Sequence, residues 1–369
     1  MQKHQEPLKL GILSMQRVPN YGSFLQAFAL LHTIKKLRPD VDVLFIDIKP
    51  EILFYEKLYC YIRKFGGYIL KGNFFKSIQR CLYIAKQLRM FKKYQREYLN
   101  LTDEHHWDIY FGTIVIGSDE VFNCLQRASW GRAKSLLGDG LNTDNVITYA
   151  ASCGSTAISG VEKISLAKDI EKGFRNIKRF SVRDENTYQF VKYFACKDAI
   201  INLDPVFLFD FDIYTPAVQL PKRKFILLYS YSERFNKKEE IIAIRKFADE
   251  NDLDVISIFG YQSWCYNNII LGPFEVLAYF KRASYIITDT FHGTVFAIKY
   301  NKLFVSFIRH NRNDTKLQYL LDVFELHTRK INNTNELSNK LKQKINYEYI
   351  KKIIDKHVQI SIRYLDENL

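Results

Sequence analysis

The chain of 369 residues is long enough for two domains, and its hydrophobic content of 47% excludes a disordered protein. A formal net charge of +14 indicates an anionic partner: nucleic acid, an anionic membrane surface or a phosphorylated substrate. No nucleic-acid-binding motif is recognisable, so we expect no nucleic acid partner and favour the other two classes.

Cysteine usage and hydropathy bear on the compartment. The six cysteines are scattered without a C-x-x-C pair, which favours small buried residues over a disulfide framework or a zinc site. No uncharged apolar run reaches the roughly 18 residues of a membrane span, and no apolar segment follows the polar first residues. We therefore expect a cytoplasmic protein. A further hypothesis is that it contacts the inner membrane face peripherally.

The first predicted unit is a strand, a loop and a helix. A short apolar strand leads through a turn at Asn20, Tyr21 and Gly22 into an amphipathic helix over residues 24–37, which Ser23 can cap. The loop lacks the G-x-G-x-x-G fingerprint, which disfavours a dinucleotide. A purely structural turn is the alternative interpretation of these residues.

Residues 51–99 are strongly basic and interleaved with aromatic and aliphatic side chains. The pattern predicts amphipathic helices, broken near the glycines at 66, 67 and 72. Such helices can lie in a membrane interface, where each Lys or Arg near an anionic surface adds about 1 kcal/mol. The alternative is a solvated charged face whose other side packs on the core.

Polar side chains follow three predicted strands in the rest of the first half. Asp119 and Asn123 follow one strand, Ser152 follows the next, and Arg183 follows the third. The planar guanidinium of Arg183 suits bidentate contact with a carboxylate or phosphate, whereas an ion pair with the acidic residues after it is the alternative.

Two acidic segments could suggest a metal. Residues 102–108 read TDEHHWD, but adjacent histidines cannot easily share one ion, and a D-x-D at 210–212 lies in a proline-containing linker. We therefore expect neither a metal nor a cofactor.

Strands and helices alternate again after the linker, which predicts parallel sheets with helices on both faces. The expected fold class is α/β, with two Rossmann-like domains facing a cleft, similar to B-type glycosyltransferases. We expect an N-terminal domain over residues 8–209, with the basic insertion at 51–99. A C-terminal domain over 223–330 and a helical tail over 331–369 follow.

Within the second half, residues 285–307 form a predicted βαβ unit with His292 at the turn from strand to helix. An imidazole there can transfer protons near neutral pH, and the amides of Gly293 and Thr294 can hold an oxyanion or phosphate. A helix cap or a surface histidine is the alternative interpretation.

Several motifs resemble, in order, the signatures of the polysaccharide pyruvyl transferase family. They are NYGSFLQAFAL at 20–30, GSDEVFN at 117–123, YAASCG at 149–154, SVRDENT at 181–187, LDPVFLF at 203–209, and GPFE at 272–275 with TDTFHG at 288–293. Glu120 and Phe122 depart from the family's Gln and Trp. The resemblance covers about residues 8 to 325.

This resemblance implies transfer of a pyruvyl group from phosphoenolpyruvate to a sugar, forming a ketal in the synthesis of surface polysaccharide. His292 is then the acid/base, and Arg183 grips the donor's carboxylate or phosphate. Other branches of the family carry an Arg where this chain has Thr290. Arg309, Lys316 or the amides of the following helix are the candidates for the missing charge.

The acceptor is expected to be a sugar of a lipid-linked polysaccharide precursor, bound on the N-terminal domain, with the donor on the C-terminal domain. The candidate acceptor-binding residues are Asn20, Tyr21, Gly22, Asp119, Asn123 and Ser152. Two other functions stay open: a nucleotide-sugar-dependent glycosyltransferase on the same scaffold, and a non-catalytic, membrane-docked assembly protein.

Overall fold

A computed structural model describes residues 8–48, 74–126, 133–309 and 314–369 of the protein. Residues 51–73 of the basic insertion lie outside these ranges. Two parallel six-stranded sheets organise the chain, as the alternation of strands and helices predicts.

The first sheet has the strand order β2-β1-β3-β4-β5-β6. Its strands are β1 (Lys9–Leu13), β2 (Asp42–Phe45), β3 (Thr113–Asp119), β4 (Val146–Ala151), β5 (Ile177–Val182) and β6 (Ala199–Ile201). Its helices are α1 (Tyr21–Leu37), α2 (Phe74–Leu99), α3 (Ile158–Glu162), α4 (Ala167–Asn176) and α5 (Glu185–Ala195). The central strands β3 and β4 are buried along their whole length, which is typical of a parallel sheet covered on both faces.

The second sheet has the order β12-β11-β10-β7-β8-β9. Its strands are β7 (Phe225–Ser230), β8 (Asp254–Phe259), β9 (Asn267–Ile269), β10 (Tyr285–Thr288), β11 (Leu303–Phe307) and β12 (Lys330–Ile331). The helices are α6 (Lys238–Glu250), α7 (Pro273–Arg282), α8 (Phe291–Lys299), α9 (Asp314–Val323), α10 (Leu337–Lys342) and α11 (Tyr347–Asn368). None of the described helices is long and apolar enough to cross a membrane.

Helix α1 begins earlier than the sequence predicts. Its N-cap is Asn20, whose side chain accepts a hydrogen bond from the Gly22 amide, so the predicted cap by Ser23 is wrong. Ser23 instead lies inside the helix, and its hydroxyl donates to Asp119 at the end of β3. The consequence is that the Asn-Tyr-Gly turn becomes the first turn of a helix that faces the other domain.

The two domains meet through aromatic side chains. Phe24 and Phe28 of α1 pack on Phe274 of α7, with ring centroids 5.7 and 4.9 Å apart. Tyr21 packs on Phe259 at the end of β8, at 6.1 Å. Because the carboxyl ends of both sheets face this contact, it fixes the position in which their loops form a cleft.

Two further elements tie the domains together. In α2, Gln95 donates to the Gln16 carbonyl of the first domain and Gln87 to the Phe259 carbonyl of the second. The C-terminal helix α11 returns to the first domain, where the Tyr364 hydroxyl donates to the Thr148 carbonyl.

Candidate functional site

A cavity of about 160 Å³ lies between the carboxyl ends of the two sheets. Its walls from the first domain include Asn20, Ser23, Asp119 and Glu120. Its walls from the second domain include Tyr229, Tyr231, Arg234, Asp289, Thr290, Phe291, His292 and Lys316. The cavity therefore combines residues of both domains, as a site in a two-domain cleft requires.

His292 enters this cavity from the first turn of α8. Thr290 caps the helix by accepting a hydrogen bond from the Gly293 amide, and this cap fixes the backbone on either side of the histidine. The imidazole rests on Gly22 of the other domain, since a Cβ atom at Gly22 would lie 2.1 Å from Nδ1. A glycine is required there because the imidazole occupies the space of a side chain.

The other edge of the His292 ring faces Asp204, a residue that the sequence analysis did not select. Nε2 lies 3.3 Å from Oδ2 of Asp204, whose side chain is 1% exposed. Although burial alone would raise it, the His292 ring and the charge of Arg183 hold the pKa of Asp204 at about 2. Asp204 is thus an ionised carboxylate beside the Nε2 edge of the histidine.

Arg183 lies behind the cavity wall. It donates from Nη1 to Asp204 Oδ2 at 2.9 Å, and its Nη2 lies 3.8 Å from Asp119 Oδ1. Its guanidinium stacks on the Phe291 ring at 4.2 Å, and its side chain is 2% exposed. Arg183 therefore connects Asp119 to Asp204 in this structure, and its contact with a donor stays a prediction.

Asp289, at the end of β10, collects two arginines. Its buried carboxylate accepts from Ser230 Oγ at 2.6 Å, from Arg309 Nε at 3.1 Å and from Arg234 Nη1 at 3.4 Å. Arg309 also pairs with Glu240 and lies behind Asp289, whereas Arg234 lines the cavity. Arg234 is a second residue that the sequence analysis missed.

Lys316 of α9 crosses the cleft and forms an ion pair with Glu120 of the first domain. Asn123 also donates to Glu120, at 2.6 Å. Burial would raise the pKa of Glu120, but the Lys316 charge outweighs it and lowers that pKa to about 2. This pair joins the two domains at the cavity wall.

The remaining predicted residues make contacts within the protein. The Tyr21 hydroxyl donates to the Leu271 carbonyl at 2.8 Å, and the Ser152 hydroxyl donates to Asp184 at 2.7 Å. The amides of Gly293 and Thr294 donate to Thr290 in the cap of α8. Those two amides are occupied in this structure, so their contact with a donor stays a prediction.

The predicted site residues that share the cavity are therefore Asn20, Asp119, His292 and Lys316. Arg183, Arg309, Ser152 and Tyr21 support it from behind or lie apart from it. Asp204 follows β6 in the LDPVFLF motif, so the end of that strand was the signal that could have identified it.

Comparison with known proteins gives the same fold and one family. The family model described as polysaccharide pyruvyl transferase matches residues 20–311, most of the chain. None of the curated proteins compared with the sequence matches it.

Among solved structures, a UDP-N-acetylglucosamine 2-epimerase is similar with a TM-score of 0.55 and 9% identity, covering 98% of this chain and 96% of that one. Arabidopsis thaliana UGT89C1 complexed with UDP has a TM-score of 0.51 and 10% identity, covering 98% and 99%. The glycotransferase of kitacinnamycin has a TM-score of 0.51 and 10% identity, covering 98% of both chains. At such identities the likeness shows the fold alone, and it confirms the predicted pair of Rossmann-like domains.

Gly22→Ala tests the contact between Gly22 and the His292 imidazole. The added methyl group overlaps the ring, so we expect a lower melting temperature, equivalent to about 1–3 kcal/mol, despite the higher helix propensity of alanine. Gly160→Ala in α3 is the control, because its Cβ would meet a single flexible methyl of Leu125. A melting temperature of Gly22→Ala at or above that of the unmodified protein would contradict this packing.

The pair of Glu120 and Lys316 predicts a pH dependence of stability. Because the folded-state pKa of Glu120 is depressed from 4.5 to about 2, the pair contributes fully above about pH 4.5 and is lost as the pH falls towards 2. The melting temperature of Glu120→Gln should therefore lie below that of the unmodified protein at neutral pH, and the difference should shrink in acid. A difference that stays constant down to pH 3 (roughly a unit above the folded pKa) would exclude an ionised pair.

Proposed function

Because this chain belongs to the polysaccharide pyruvyl transferase family, we propose that it transfers a pyruvyl group from phosphoenolpyruvate to two hydroxyls of one sugar. The product is a cyclic ketal, and the acceptor is a sugar of a lipid-linked polysaccharide precursor. The observation that carries the proposal is a histidine that a buried carboxylate orients inside a cavity between two domains.

The reaction needs proton transfer at two places. C3 of phosphoenolpyruvate gains a proton and becomes a methyl group, while one sugar hydroxyl loses its proton and bonds to C2. The second hydroxyl then bonds to C2, the bond from C2 to the phosphate oxygen breaks, and the second hydroxyl proton leaves with the phosphate. The two hydroxyl protons thus balance the new methyl group and the released phosphate.

His292 is suited to accept the proton that the first sugar hydroxyl loses. Its Nε2 faces Asp204, and within the described part of the chain Nδ1 makes no hydrogen bond but lies against Gly22, so a substrate hydroxyl would have to reach Nδ1 beside that glycine. The ionised Asp204 stabilises the imidazolium that forms when the ring takes a proton from the sugar hydroxyl. Asp119 and Asn20 line the opposite wall, and under this proposal they form hydrogen bonds with the acceptor's hydroxyls.

His292→Gln tests the proton transfer. Glutamine keeps a polar side chain at this position but cannot titrate near neutral pH, so we expect phosphate release from phosphoenolpyruvate, with a panel of sugar acceptors, to fall about 10²-fold or more. His327→Gln is the control, since it removes a solvent-exposed histidine that pairs with Asp322. Unchanged phosphate release by the folded His292→Gln protein would end the acid/base role.

Peripheral binding to a membrane completes the proposed function, and the observation that favours it is the exposed face of α2. That face carries exposed apolar side chains at Ile78, Leu82 and Leu88. It also carries the exposed basic residues Lys86, Arg89, Lys92, Lys93 and Arg96. Apolar and cationic groups on one helix face are complementary to an anionic bilayer surface.

The position of α2 relates this surface to the cavity. Gln87 of α2 donates to the carbonyl of Phe259, which lines the cavity. A lipid-linked acceptor would therefore reach the cavity beside the surface that holds its lipid.

Binding to vesicles tests this surface. The triple variant Lys92→Glu, Lys93→Glu, Arg96→Glu should lose binding to anionic vesicles, and binding of the unmodified protein should weaken as salt rises. The control changes Lys351, Lys352 and Lys356 to Glu, which alters the net charge equally on exposed positions of α11. Equal loss in both variants, or equal binding to neutral and anionic vesicles, would refute a specific surface on α2.

A further inference from the structure

We propose that Arg234 and Lys316 together bind the anionic groups of the donor, and that Glu120 occupies Lys316 until the donor enters. This inference rests on the proposed function, because it requires an anionic donor. It assigns the binding role to one residue that the sequence motifs leave out, Arg234, and to one ion pair that the donor must open.

Few of the described residues that line the cavity are cationic. Among its described lining residues, Arg234 is the one arginine and Lys316 the one lysine. Arg183 and Arg309, the other arginines near the site, are not among the lining residues and lie behind the carboxylates of Asp119 and Asp289. A trianion such as phosphoenolpyruvate therefore meets Arg234 and Lys316 first.

Arg234 is held in place while most of its donors stay available. It comes from the loop between β7 and α6, and its guanidinium lies 4.7 Å from the centroid of the Tyr231 ring. Its one side-chain partner among the described residues is Asp289, at 3.4 Å, and its side chain is 33% exposed. Since a guanidinium carries five N–H donors, it can bind a phosphate or carboxylate bidentately without releasing Asp289.

The same position explains how the site functions with threonine at position 290. Thr290 lines the cavity next to Asp289, the residue that Arg234 contacts. The guanidinium thus lies near the N-terminus of α8, although it comes from the end of a neighbouring strand and not from the turn that precedes α8. The partial positive charge at the start of α8 adds to the attraction for a phosphate.

Lys316 differs from Arg234, because the ion pair with Glu120 neutralises the charge of the lysine. Three carboxylates, of Asp119, Glu120 and Asp289, line the cavity beside the two cations, so an added anion is repelled unless one pair opens. Of the described ion pairs that these three carboxylates make, the pair of Lys316 and Glu120 spans the cleft, between α9 and the end of β3. Binding of the donor by Lys316 therefore requires the lysine to exchange Glu120 for the donor, and Glu120 loses its cationic partner in that exchange.

Substitutions of Arg234 and of Glu120 should change the Kd for phosphoenolpyruvate in opposite directions. Calorimetric titration of phosphoenolpyruvate measures both changes. Arg234→Gln should raise the Kd about ten- to a hundredfold, as loss of a charge-assisted contact does, and Arg234→Lys should give an intermediate value. Glu120→Gln should lower the Kd about three- to tenfold, because the neutral isostere no longer competes for Lys316. Arg223→Gln, an exposed arginine with two aspartate partners, should change nothing.

Inorganic phosphate serves as a second probe, and it separates the failure of this inference from the failure of the proposed donor. If the unmodified protein binds phosphoenolpyruvate and Arg234→Gln binds it equally well, the role of Arg234 is wrong. An equal or higher Kd for Glu120→Gln overturns the competition. If phosphoenolpyruvate does not bind but phosphate binds and needs Arg234, the anion site stands and the donor is wrong. If neither binds, both proposals fall.

Discussion

The carboxylate of Asp204 is the group on which the site depends. It is almost fully buried, and burial of an unpaired charge would cost several kcal/mol, so its partners are obligatory. One partner, Arg183, belongs to the first domain, and the other, His292, belongs to the second. The relative position of the two domains is therefore coupled to the orientation of the histidine, and the packing of His292 on Gly22 adds a steric limit to the same arrangement.

The aromatic contact between α1 and α7 makes this coupling possible. The rings of Phe24, Phe28 and Phe274 are buried and pack on one another at the domain boundary, while the side chains of Asp204 and Arg183 are 1% and 2% exposed. In such surroundings the interaction of Asp204 with Arg183 and His292 is screened weakly. The motif with Asn20, Tyr21 and Gly22 thus serves the interface twice: Tyr21 packs in the aromatic contact, and Gly22 leaves room for the imidazole.

Sequence patterns identified the fold more completely than the site. Alternating apolar strands and amphipathic helices report local burial, so both sheets and the turn before α8 were predictable. Contacts between residues distant in sequence leave no local pattern. Asp204 and Arg234 were missed because one follows a short edge strand and the other lies in a polar loop. Arg183 was identified as a cation at a strand end, but its burial and its two carboxylate partners depend on how the chain folds around it.

Net charge is also distributed in a way that composition cannot show. The excess of 14 positive charges in the sequence suggests a basic site, yet the described lining of the cavity carries three carboxylates beside one arginine and one lysine. Much of the described basic charge near the cleft lies on the exposed face of α2, where it acts on a partner at long range and is screened by salt. Within the described lining, Arg234 and Lys316 each already have a carboxylate partner. Under the proposed function, the outer charge attracts an anionic surface, whereas selectivity for the donor arises inside, from the ion pair that a correctly placed anion can replace.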